Sequence, residues 1–121
     1  MKRRLRAGKF RHRIAIEQAI RTRSEDGSYS ESWSEFWQCA AMITTIGGRE
    51  AYQARQTIGE LTHEIYVRYY PGITTNMRVR YDDPKAETSR YFGIRAVINP
   101  KETREDLILR CLELNDGQSR A

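Results

Sequence analysis

Two histidines, two cysteines and an adjacent pair of aspartates are the residues of this 121-residue chain best suited to chemistry. Acid–base or nucleophilic catalysis needs such groups within hydrogen-bond reach of a partner. His12 and His63 each stand in an alternating run, on an apolar-leaning face, with no Ser, Cys or Asp at a recognisable spacing. They read as core or interface histidines. Asp82-Asp83 could pair on a metal, but Pro84 follows directly and makes the segment a turn. A nuclease would want an acidic-x-Lys element nearby, and neither Glu87-Thr88-Ser89 nor Glu102-Thr103-Arg104 supplies one. Gly47-Gly48-Arg49 lacks the GK[ST] of a phosphate loop and reads as a turn before a helix. Cys39 and Cys111 have no CxxC or Cys/His spacing and lie in strand-like runs, so both are expected to be reduced, buried thiols. These residues point to no catalytic set, no metal and no cofactor.

The elements that carry them follow from periodicity. His12, Ile14, Ile16, Gln18 and Ile20 share one parity and Arg13, Ala15, Glu17 and Ala19 the other, the mark of a half-buried strand. Thr22 to Ser32 is polar and contains Asp26-Gly27, a hairpin turn signal. A second strand is expected from Tyr29 to Thr44, with Trp33, Trp37, Cys39, Ala41 and Ile43 on one side. Phe36 and Met42 interrupt that alternation, which implies a bulge or burial on both faces. After Gly47-Gly48 the period changes: Ala51, Ala54, Arg55 and Ile58 share a helical face, and Gly59 sits where a helix would end. One helix is therefore predicted near residues 48–58. Strands return at Leu61 to Tyr70, Met77 to Tyr81, Ser89 to Ile98 and Asp106 to Leu114, separated by Pro71-Gly72, Asp82-Asp83-Pro84 and Asn99-Pro100. The last of these is apolar on both faces, suiting a central or covered position. The expected fold is mainly β, a small barrel or sandwich of about six strands with one short α-helix.

Charge divides the chain. Residues 1 to 13 hold Lys2, Arg3, Arg4, Arg6, Lys9, Arg11 and Arg13 and no acid. Of the totals of 21 bases and 16 acids, that leaves 14 bases against 16 acids for the remainder. The organisation expected is a basic N-terminal arm over residues 1–13, one barrel domain over 14–114 and a polar tail over 115–121. Such an arm suits phosphates or an acidic protein face. Apolar residues at 39% and charged residues at 31% describe an ordinary globular balance. No apolar run approaches a membrane span, and the basic Met1 to Arg6 is not followed by the apolar stretch of a signal peptide. The expectation is a soluble protein with no membrane partner, retained in the cell that makes it.

Tyr66, Tyr69, Tyr70, Tyr81, Tyr91 and Phe92 cluster near Arg68, Arg78, Arg80, Arg90 and Arg95. Aromatics interleaved with arginine serve as a single-stranded nucleic-acid platform of OB type. They serve equally in protein–protein interfaces, where Tyr and Arg are enriched, and ordinary strand faces account for them too.

The order of these pieces resembles the head–tail joining family of tailed bacteriophages, the head-closure or stopper connectors. The opening Ala7-Gly8-Lys9-Phe10-Arg11-His12-Arg13-Ile14-Ala15-Ile16-Glu17 is similar to the family's first strand. Trp33 and Trp37 ahead of Ala40-Ala41-Met42-Ile43 match its second. The most specific piece is Gly48-Arg49-Glu50-Ala51-Tyr52-Gln53-Ala54-Arg55-Gln56, in which Ala51 separates a Glu and a Tyr that the family keeps adjacent. Thr62-His63-Glu64-Ile65, Met77-Arg78-Val79, Tyr91-Phe92-Gly93-Ile94 and Leu107-Ile108-Leu109-Arg110-Cys111 follow in order.

The resemblance implies a non-enzymatic virion protein, assembled in the host cytoplasm into a ring of six or twelve copies at the head–tail interface. Its partners would be a portal or adaptor protein on the head side, a tail terminator or tail tube on the other, and packaged double-stranded DNA held without sequence preference. Arg49, Glu50, Tyr52 and Gln56 are then the expected contacts between neighbouring subunits. Lys2, Arg3, Arg4, Arg6, Lys9 and Arg11 are the expected contacts to DNA or the adaptor. The alternatives are a tail terminator ring protein and a free OB-like single-stranded nucleic-acid binder.

Overall fold

The structure is a computed structural model that describes residues 9–46 and 61–114. The predicted helix near 48–58 lies outside them. Six strands build the described part: β1 (His12–Arg23), β2 (Tyr29–Thr45), β3 (His63–Arg68), β4 (Met77–Asp83), β5 (Thr88–Ile98) and β6 (Asp106–Leu114). All neighbours are antiparallel, in the order β1-β2-β3-β6-β5-β4. The sheet closes because β4 pairs back onto β1, from Ile14 opposite Tyr81 to Gln18 opposite Met77. The fold is thus a closed, mainly-β barrel, as the alternation predicts.

The inward parity of each strand supplies the core. Ile14, Ile16, Ala41, Ile65, Val67, Val79, Phe92, Ile94, Leu109 and Cys111 are essentially sealed from solvent. Each large side chain among them contributes roughly 1.5–3 kcal/mol on burial. Cys39 and Cys111 are both free and buried, and burial pushes the Cys39 thiol up to about 12. Closure leaves β6 between β3 and β5, where Ile108 and Leu112 of its outer face are half-buried.

One bulge corrects the expected face of Trp33. Ile16 stands opposite Trp37 but Glu17 stands opposite Glu35, so Phe36 is an extra residue in β2. A one-residue insertion sends everything beyond it to the other face. Trp37, Cys39 and Ala41 keep the core side, whereas Trp33 lies outside, its ring over the Arg78 guanidinium at 4.1 Å. The β3–β4 connection then covers the core where β2 parts from β3: Tyr70 stacks on Trp37 at 4.2 Å and meets Phe36 edge-on at 5.8 Å. Gly72 permits this approach. Its φ is +95°, and a Cβ there would lie 3.0 Å from the Phe36 ring. A second bulge, in β5, leaves Arg95 as the extra, exposed residue.

β1 pairs with β4 over Ile14–Gln18, and β2 pairs with β3 over Ala41–Thr45. Further out, Ala19–Arg23 and Tyr29–Trp33 pair with each other and form a two-stranded ribbon projecting from the barrel. β1 thus runs on through Thr22 and Arg23, β2 begins at Tyr29 as expected, and the polar connection narrows to the turn between them. That turn falls at Asp26-Gly27 as expected, with Gly27 at φ +87° and Ser24 N–H donating to Ser28 O at 2.8 Å. The Asp26 carboxyl accepts from the Ser24 and Ser28 hydroxyls and from Ser28 N–H, which holds it well below the usual carboxylate range. The antiparallel order puts this ribbon at one end of the barrel. The start of β1, the end of β2, the start of β3 and the end of β6 all lie at the other.

Candidate assembly surface

Charged side chains form two groups, one on the outer wall and one at an end of the barrel. In the first, Glu17 is 5% exposed although it points away from the core. Its carboxylate accepts from Arg78 Nε at 2.8 Å and from Arg80 Nη1 at 2.6 Å. Arg80 also faces Asp82 at 3.4 Å and Glu35 at 3.8 Å. The Arg78 guanidinium is sandwiched between the Trp33 ring at 4.1 Å and the Tyr91 ring at 4.3 Å. A planar cation between two aromatic faces, held by a carboxylate, stiffens the wall where β2, β1, β4 and β5 run side by side. Sequence reasoning missed Glu17. The available signal was the Arg78-x-Arg80 pair, but that Glu17 stands opposite Arg78 follows from the closure of β4 onto β1.

The second group closes the end of the barrel opposite the ribbon. Glu113 accepts two hydrogen bonds from Arg90, at 2.8 and 3.1 Å, and these pull its carboxyl below the ordinary range. His63, 7% exposed, lies edge-on to Phe92 at 5.0 Å, with Nδ1 at 2.8 Å from Thr62 Oγ1 and Nε2 at 3.9 Å from Glu113. Burial lowers its pKa, outweighing the Glu113 carboxylate, which raises it. His12 packs edge-on against Tyr81 at 5.2 Å. Both histidines are thus packing residues, as their positions suggest.

The other residues singled out in the sequence fall into place around these groups. Asp83 Oδ1 accepts from Lys85 N–H at 3.0 Å and Ala86 N–H at 3.4 Å, while Asp82 accepts from the Ser89 hydroxyl at 2.6 Å. The two aspartates therefore build the β4–β5 turn. Among the described residues no group of His, Cys, Asp and Glu is placed to hold a metal ion. Arg68 pairs with Asp106 at 2.6 Å and Arg110 with Glu64 at 3.1 Å, so the arginines beside the tyrosines are largely committed within the chain. Lys9 and Arg11 are exposed just before β1. Lys2, Arg3, Arg4, Arg6, Arg49, Glu50, Tyr52 and Gln56 lie outside the described residues.

The described residues thus form a small closed barrel with most of its arginines tied into ion pairs, and the comparisons give its family. The model of the phage head completion protein family matches residues 5–114, and the chain belongs to that family. It is a structural protein of the phage particle, a virion component that acts in assembly with other head and tail components. Among solved structures it is similar to protein SF1141 from Shigella flexneri 2a, in a solution structure. That match has 23% identity and a TM-score of 0.73, covering 93% of this chain and 99% of the other. It is also similar to a chain in the virion of a native gene transfer agent particle, with 18% identity and a TM-score of 0.52, covering 84% and 93%. No curated protein matches the chain.

Proposed function

We propose that this head completion protein is the subunit of a ring, six or twelve copies around, that joins the portal or adaptor of the filled head to the tail and retains the packaged DNA. Family membership over the whole barrel is the observation that carries this reading. The barrel, residues 14–114, forms the ring wall. The segment at 45–59, with Arg49, Glu50, Tyr52 and Gln56, lies between neighbours or toward the channel. A tail terminator or tail tube docks on the face away from the head. No catalytic step is assigned.

Contact with DNA falls to the arm, residues 1–13. Arg68, Arg78, Arg80, Arg90 and Arg110 are paired with carboxylates on the barrel, which leaves the wall a poor phosphate platform. The same pairing weighs against a free single-stranded nucleic-acid binder. Lys2, Arg3, Arg4, Arg6, Lys9 and Arg11 would meet phosphates without reading bases, so their binding weakens steeply with salt. Deleting residues 2–9 and measuring nuclease-protected DNA in assembled particles tests this. Loss of protected DNA or of docking to the head is expected. Unchanged docking together with unchanged protection overturns the role of the arm.

A further inference from the structure

The β1–β2 ribbon solves no packing problem of the barrel itself. Both of its outer edges are left open in the described sheet: Ala19–Arg23 of β1 lies beyond the pairing with β4, and Tyr29–Ala40 of β2 lies beyond the pairing with β3. Exposed strand edges are usually blunted by proline, by charged side chains, lysine above all, or by bulges. Neither Ala19–Arg23 nor Tyr29–Glu35 carries a proline or a lysine, and the bulge comes later, at Phe36. Ile20 and Tyr29, at 43% and 58% exposure, are the large hydrophobics the described residues leave most open, and both lie on this ribbon.

Charge distinguishes the two edges. On the outward face the β1 edge presents Arg21 and Arg23 and no acid, while the β2 edge presents no base and two acids: Glu31, opposite Arg21 of the same chain, and Glu35, 3.8 Å from Arg80. Two β1 edges would set arginine against arginine, and two β2 edges glutamate against glutamate; like charges directly opposite are destabilising. A β2 edge against a β1 edge pairs opposite signs. That contact is heterologous, the type that closes rings when copies are related by rotation. Rotation also keeps strand directions, so β2 of one copy meets β1 of the next antiparallel, as the two already meet within the chain. On the opposite face Ile20 is flanked by Thr22, Ser30 and Ser32, small uncharged side chains that let neighbouring ribbons lie flat.

We infer that the ribbon is a subunit-to-subunit contact, in which the Tyr29–Glu35 edge of one copy adds to the Ala19–Arg23 edge of the next and joins the ribbons into one continuous sheet around the ring. The occupant of each edge is a second copy of this chain. This rests on the ring reading above and assigns the contact to a different element from the segment at 45–59.

Charge reversal tests it. One variant carries Arg21→Glu and Arg23→Glu, making both edges acidic; the other carries Glu31→Arg and Glu35→Arg, making both basic. Each is added, after its melting curve shows a folded barrel, to lysates of cells whose copy of this gene has an early stop codon, and infectious particles are counted. Wild-type protein restores particles, each variant alone fails, and an equal mixture of the two recovers because acidic and basic copies alternate. Within each chain residues 21 and 31 stay like-charged whether or not the variants are mixed, so rescue arises between copies. Variants that restore particles alone as well as wild type overturn the ribbon contact and leave the ring reading standing. Failure of the wild-type protein overturns the ring reading, and the ribbon contact with it. Should reversal unfold the barrel, copies bearing Arg23→Cys mixed with copies bearing Glu31→Cys keep most of the native charge. A short thiol cross-linker must join them between copies in assembled particles, and its failure to do so overturns the contact.

Discussion

Replacing Glu17 with Gln tests whether the outer wall is held by a buried ion pair or merely decorated by a surface one. The Glu17 side chain is 7% exposed and that of Arg78 12%, so neither is well placed to recover hydration if the other is neutralised. Removing one partner of a buried pair costs about 3–5 kcal/mol. The lower end applies here, because Arg80 is 28% exposed and keeps Asp82 and Glu35. With an unfolding entropy of about 2.1 cal/mol/K per residue, 121 residues give roughly 0.25 kcal/mol/K, so a loss of about 3 kcal/mol lowers Tm by about 12 °C. Thermal melts followed by circular dichroism, with urea titrations alongside, measure it. A second variant combining Glu17→Gln with Arg78→Met removes both charges and should recover most of the loss, since replacing both members of a buried pair is often neutral. A Glu17→Gln protein within about 0.5 kcal/mol of wild type would refute the reasoning and place this pair with ordinary surface salt bridges.

Two other changes are diagnostic. Gly72→Ala meets both a left-handed backbone and the Phe36 ring at 3.0 Å, so it should destabilise by more than the ~1 kcal/mol of conformational strain alone, read as a lowered urea midpoint. The pH profile should show a histidine window: with His63 held below its ordinary 6.5 by burial, the unfolded chain takes up the proton first as pH falls. That stability is therefore complete above about pH 6.5 and is lost as pH drops toward the folded value. Glu113, held below 4.5 by Arg90, adds a second loss below about pH 4.5, where the unfolded carboxyl protonates first. Urea midpoints across these windows should slope in His63→Asn only in the lower one.

The barrel was legible because closure buries one parity of every strand, and a repeating apolar parity is what a sequence displays best. Asp106–Leu114 has the boundaries its pattern predicts, and β5 begins one residue earlier than read. The ribbon was legible only in part: Tyr29 begins β2 as its pattern predicts, but Arg21–Arg23 extend β1 past the last apolar residue of its alternation, where little is buried and the residues are polar. Trp33 was assigned to the wrong face because one inserted residue at Phe36 reverses parity, and alternation cannot count through a bulge. Glu17 stayed hidden for a different reason. Its burial depends on β4 closing onto β1, a contact between residues some sixty positions apart. Among the residues expected to touch DNA or neighbours, Lys9 and Arg11 are described, and both are exposed.

Negative-stain imaging of particles made by a strain whose copy of this gene carries an early stop codon tests the connector role most directly. The account predicts empty or DNA-leaking heads beside free, finished tails, with joined particles returning when the gene is supplied in trans. Full heads already attached to tails in the mutant would contradict it.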